Sequence, residues 1–126
     1  MKTTERILEF LKQQGFLPET DPDNGNIFFK YQMRNFIFFN NDEDEEFFQL
    51  ALPNIYEVTE ENRDLVLEAT NKTNVSIKVI KCNIFQDNVW IFFENLLDSS
   101  PEVEDILPRA LNILLGAQQQ FYHNMN

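Results

Sequence analysis

The chain has 126 residues, 21 of them acidic and 10 basic, for a net charge of −11 at neutral pH, and 43% of its residues are hydrophobic. That length supports one core and starves two, the apolar content excludes wholesale disorder, and the charge repels nucleic acid and anionic membrane alike. One cysteine and one histidine exclude a disulfide framework and most His/Cys metal sites.

At the start, MKTTERILEFLKQQG spaces Ile7, Leu8 and Leu11 at helical intervals. This predicts a helix over residues 3–14, stopped by Gly15. The stretch lacks the unbroken apolar run of ~7–15 residues that a signal peptide needs. No segment approaches the ~20 apolar residues that span a bilayer, so the expected compartment is the cytoplasm. Residues 18–25 are rich in turn formers. Within them Asp21-Pro22-Asp23-Asn24-Gly25 resembles a Ca²⁺ loop but fails its spacing: Gly25 stands one place early and Gln32 stands where Glu is needed. Asn24-Gly25 fits a tight turn instead.

Residues 26–31, 35–40 and 46–52 are short runs dense in Phe and Ile between Asn/Asp clusters, the pattern of hairpin-linked strands. A helix is expected over 59–73, with Thr59 as cap, Glu60 and Glu61 at its positive end, and Leu65, Val66 and Ala69 on its apolar face. Two further strands, 75–85 and 89–94, are joined by Gln86-Asp87-Asn88. Ser100, Pro101 and Glu102 form a helix start. Val103, Ile106, Leu107, Ala110, Leu111, Leu114 and Phe121 then recur with helical period. Pro108 within that run predicts a kink or a break into two pieces. The resulting order, α-β-β-β-α-β-β-α, predicts a single α+β domain over residues 1–126, with a five-stranded, mainly antiparallel sheet and helices packed on it.

That order on an acidic chain, clearest in LVLEATNKTNVSIKVIKCNIFQDNVWIFFENLL at 65–97, resembles the YbjN-like family and the type III secretion chaperones. The likeness runs from about Glu5 to Phe121. It implies a non-enzymatic role. Secretion chaperones are small acidic homodimers that hold an export substrate extended, and the YbjN-like branch is described as a sensory-transduction regulator. The likeness carries no sharp motif, so it assigns no functional residue.

The residues themselves offer little chemistry. Asp42, Glu43, Asp44, Glu45 and Glu46 could hold Ca²⁺ or Mg²⁺, but five neighbouring acids are first a solvated hairpin tip. His123 lies three residues from the end, a poor place for a positioned base. Cys82 alternates with Ile80 and Ile84, as a small core residue does. Three scattered glycines form no phosphate loop. No catalytic residue, cofactor or metal ligand is expected. Lys72, Lys78 and Lys81 are too few for a nucleic-acid site in so acidic a chain and are expected to protect a sheet edge or to balance nearby acids.

The aromatics say more. Thirteen of the seventeen are Phe, and the strands that carry them do not alternate cleanly. Val89, Ile91 and Phe93 oppose Trp90 and Phe92, Phe36 and Phe38 oppose Ile37 and Phe39, and Phe48 opposes Phe47. Both sheet faces thus need shelter. The expected function is protein binding, chaperone-like or regulatory, by a homodimer with a protein partner or client. It would act through an apolar sheet face or an edge strand, with Phe36, Phe38, Phe48, Trp90 and Phe92 as candidate contacts. The alternatives are a metal-dependent enzyme using the carboxylates of residues 42–46, or a small-molecule sensor with an apolar pocket between sheet and helices.

Overall fold

A computed structural model describes residues 2–126. The elements run α1 (Thr3–Gln13), β1 (Glu19–Thr20), β2 (Ile27–Tyr31), β3 (Arg34–Phe38), β4 (Phe47–Glu57), α2 (Arg63–Ser76), β5 (Ile80–Phe85), β6 (Asn88–Leu96) and α3 (Val103–Met125). The fold is α+β with an antiparallel sheet, as expected. The sheet has six strands and not five, in the order β1-β2-β3-β4-β6-β5. The added strand is the two-residue β1, within the turn-rich 18–25 segment. It pairs Glu19 with Phe28 and Thr20 with Ile27, and the following loop is closed by Gly25 N–H donating to the Asp21 carbonyl at 2.8 Å.

Several boundaries differ from the sequence pattern, and those of β4 and α2 do so for a visible reason. β4 runs on to Glu57 past Pro53, because a bulge between Leu52 and Tyr56 removes Pro53 from the ladder and sets Asn54 at φ 53°. Helix α2 begins at Arg63, since Thr59 and Asn62 bond each other's backbone and form a turn before it. It also continues to Ser76, where a strand was expected. There Thr73 and Ser76 hydroxyls donate to the Ala69 and Lys72 carbonyls, and Val75 points to solvent. Leu65 is exposed, and the buried stripe of α2 is Val66, Ala69, Thr70 and Thr73. Helix α3 starts at Val103, two residues later than the start expected at Ser100-Pro101 and without a side-chain cap, and continues through Pro108 without a break. Proline there forfeits one bond near the N-terminal end of a helix that spans about 35 Å.

All three helices contribute to one core. Ile7 and Leu11 of α1, the stripe of α2, and Val103, Leu107, Leu111, Leu114 and Phe121 of α3 are buried with Ile27, Phe29, Phe36, Phe38, Phe48, Leu50, Leu52, Val89, Ile91 and Phe93 of the sheet. These strand residues share one face. Helix α1 ends in a Schellman arrangement: Gly15, at φ +88°, donates to Lys12 and Phe16 donates to Leu11 at 3.0 Å. Thr3 and Thr4 at its start bond the Glu45 carbonyl and the Asn40 side chain, which fixes the β3–β4 loop.

Two hairpin turns use left-handed residues other than glycine. Gln32 and Met33 lie at φ 50° and 63°, as do Gln86 and Asp87. Met33 is 99% exposed, so nothing in its packing offsets the steric cost of that conformation, roughly 1–2 kcal/mol. Met33→Gly is expected to raise stability by about 1 kcal/mol, read as a higher denaturant midpoint at unchanged slope. An unchanged or lowered midpoint would show that the turn carries no strain.

Candidate functional site

The face of the sheet away from the helices is where surplus aromatic surface collects. Register builds it row by row. Glu19 lies beside Phe28, Phe28 beside Ile37, Ile37 beside Ala51, Ala51 beside Phe92 and Phe92 beside Lys81, so one row crosses all six strands. Ala51 in the middle is fully buried beneath its larger neighbours. Around Phe92 the rings form a continuous group: Trp90 stacks on it at 5.7 Å, Phe39 approaches at 6.2 Å, and Phe85 meets Trp90 edge-on at 5.1 Å. Phe28 and Phe85 are 40% and 46% exposed, and Ile37, Phe39, Phe47, Trp90 and Phe92 are half-buried. No helix residue of the core cluster packs on this side.

Polar groups hold these rings in place. The Trp90 indole N–H donates to Asn54 Oδ1 at 3.1 Å. Lys81 Nζ sits 5.1 Å from the Phe92 centroid and 3.2 Å from Glu94, which also accepts from Gln49 at 2.7 Å. Asn83, opposite Trp90 in register, has a buried Oδ1 with no hydrogen-bond partner. By alternation the face carries Glu19, Glu57 and Glu94 against Lys30 and Lys81. Three acids against two lysines leave −1 there, from a chain total of −11.

Trp90 and Phe92 therefore lie together on the accessible face. Phe36, Phe38 and Phe48 do not: they are at most 1% exposed, on the helix side, and can touch no partner unless the core opens. Their places on the open face are taken by Ile37, Phe39 and Phe47, each one residue away. With both faces of β3 and of the start of β4 apolar, alternation separates the two sets but cannot say which set meets the helices. A usable signal was the polar company of the outer rows, Gln49, Asn83 and Glu94, in line with Phe47, Trp90 and Phe92.

The edges of the sheet are less available than the face. In β5 the outward backbone of Cys82 is occupied by one side chain: its N–H donates to Asn74 Oδ1 at 2.7 Å and its carbonyl accepts from Asn74 Nδ2 at 2.9 Å. An amide from α2 thus takes the bonds a visiting strand would use at that position. Lys78 lies in the turn ahead of β5 and not within it, while Lys81 guards the open face. At the other edge β1 covers two residues of β2, and the exposed Leu17 flanks a cleft of about 520 Å³ lined by Phe16, Phe28, Phe29 and Phe36.

The remaining candidates disperse. Residues 42–46 are exposed in the β3–β4 loop, where Asp44 accepts from the Glu46 N–H at 3.1 Å. Among the described residues no three His, Cys, Asp or Glu side chains converge as metal ligands. His123 is exposed in the last turn of α3. Cys82 is 2% exposed in the core, and burial pushes its thiol up from 9.0 to about 12. An unfolded thiol ionises near pH 9 while the folded one keeps its proton, so this group's contribution is intact below about pH 8.5 and is lost as pH rises towards 12. The native chain is expected to lose stability more steeply than Cys82→Ala between pH 9 and 12, measured by denaturant midpoints. Parallel slopes would contradict this.

Among the described residues no helix is long and apolar enough to cross a membrane. The fold and its open face define a one-sided α+β sheet protein. No family model matches the chain, and no curated protein matches it.

Proposed function

We propose that this chain is a non-enzymatic, cytoplasmic protein-binding module, chaperone-like or regulatory, that seats another polypeptide on its open sheet face. The observation that carries the reading is the continuous ring group Phe39, Phe92, Trp90 and Phe85, extended by Ile37 to Phe28, with no helix over it. Each large ring moved out of water contributes roughly 1.5–3 kcal/mol when fully buried, and these begin half-exposed.

A second copy of the chain is the first occupant to test. A chain at −11 repels its own copy over much of its surface, whereas this face carries only −1. From β2 to β5 it is about 19 Å wide, and β6 is about 30 Å long. That footprint of about 600 Å² is of the order of the ~800 Å² that each partner buries in a stable interface. The resemblance to acidic homodimeric chaperones points the same way. Edge pairing is the less favoured mode, since Asn74 occupies the outward bonds of Cys82.

Sedimentation velocity at several concentrations, with binding of a hydrophobic dye, tests this. A concentration-dependent dimer whose formation displaces the dye is the expected result. A strict monomer that binds no dye sinks the proposal. A second reading, a small-molecule sensor, is favoured by the cleft beside Phe16 and Phe29, which is of ligand size.

A further inference from the structure

At the rim of the sheet, beside the β2–β3 turn, lies a cation that the chain does not neutralise. Only two of the ten basic side chains, Arg6 and Arg34, are half-buried; the others are exposed. Arg6 meets Glu104 at 3.4 Å. Among the described residues no carboxylate lies within 4.0 Å of Arg34, in a chain with twice as many acids as bases. Neutral groups hold it instead. Its Nε donates to Gln118 Oε1, and its Nη1 donates to the Gln32 carbonyl at 2.9 Å. Gln118 is 8% exposed and is itself fixed, donating at 3.0 Å to the Tyr122 hydroxyl, which donates to the Ile55 carbonyl at 2.8 Å.

A guanidinium carries five N–H donors. These contacts use two and leave three, one on Nη1 and both on Nη2, at the end of the fork. Beside them lies a groove of about 240 Å³ with Met33 and Pro53 as its apolar wall and Asn35, Asn54, Gln118 and Tyr122 as its polar one. Asn54 receives the Trp90 indole through Oδ1, which leaves its amide N–H₂ as a further donor.

We propose that Arg34 anchors a carboxylate-binding site, taking a ligand with one carboxylate on a short apolar body. The planar fork matches a carboxylate in two parallel bonds. Gln118 fixes its orientation before the ligand arrives, which lowers the ordering cost of binding. One guanidinium balances a monoanion, whereas a dianionic phosphate would keep a negative charge against a chain at −11. Met33 and Pro53 offer contact to a few carbons, and polar side chains line the rest of the groove. The site adjoins the open face through Asn54, which holds Trp90, but its test does not depend on the reading given to that face. Its carboxylate can come from a small organic acid or from the C-terminus of a polypeptide.

The test follows the Arg34 Nε–H and Gln118 amide signals of the ¹⁵N-labelled native chain by NMR. The probes are butyrate, acetyl-Ala-Ala-Leu with a free C-terminus, the same peptide amidated, and inorganic phosphate. Butyrate and the free-acid peptide are expected to move both signals saturably, and the amidated peptide and phosphate are not. Tighter binding of the peptide would assign the source as a polypeptide terminus, and tighter binding of butyrate as a small acid. Arg34→Gln is expected to weaken binding by about 10- to 100-fold. The proposal is overturned if neither carboxylate moves the Arg34 signal, or if phosphate or the amidated peptide moves it as much. Unchanged affinity in a folded Arg34→Gln chain overturns it too. The native-chain titration decides even if that variant does not fold.

Discussion

Phe48→Ala is expected to destabilise the chain by about 3–5 kcal/mol, enough to leave a domain of ordinary stability largely unfolded on mild heating. Phe48 is fully buried, meets Phe38 at 5.3 Å and Phe93 at 5.7 Å, and stands near the start of the interior strand β4 on the helix-side face. Removing its ring leaves a cavity walled by large side chains on three strands, which cannot collapse without moving the sheet. Its neighbour in sequence provides the control. Phe47 lies on the open face and is half-buried, so Phe47→Ala should cost well under half as much. Denaturant unfolding of both variants measures the contrast. Equal costs would mean that the second face is covered after all, and the open-face reading would lose its basis.

The second large effect is on association. In the double variant Trp90→Ser, Phe92→Ser the self-association proposed above is expected to weaken by at least about 100-fold, because central aromatic anchors each contribute about 2 kcal/mol or more to an interface. The two rings stack on each other and make up the middle of the ring group. Both are only half-buried within the chain, so their loss should cost folding far less than loss of Phe48. Sedimentation of the variant at matched concentration reads the association, and circular dichroism confirms the fold. A variant that associates as the native chain does would move the interface elsewhere, with Leu65, Leu67 and Val75 on α2 the next apolar surface to examine.

The elements were legible in the sequence where a single local force decided them. The Schellman stop at Gly15, the run of hairpins, and the long period of α3 all follow from backbone sterics and spacing. Boundaries failed where side chains competed with propensity. Val75 and Ser76 look like strand, yet the hydroxyls of Thr73 and Ser76 stay bonded within the helix. Pro53 looks like a strand end, yet the bulge at Asn54 carries β4 past it. β1 could not be found by pattern, since two residues have no period.

By itself the sequence determined that this acidic chain folds as α+β with more aromatic surface than one sheet face uses, because composition and alternation are properties of the chain alone. Only the tertiary structure decided which rings are spent on the core. Phe36, Phe38 and Phe48 went inward and Ile37, Phe39 and Phe47 outward, and a period of two with apolar residues at both phases is symmetric between those outcomes. The helices break that symmetry by arriving on one side. Arg34 was invisible for the same reason: that it meets Gln118 and, among the described residues, no carboxylate within 4.0 Å is a fact of where α3 lies, 84 residues along the chain.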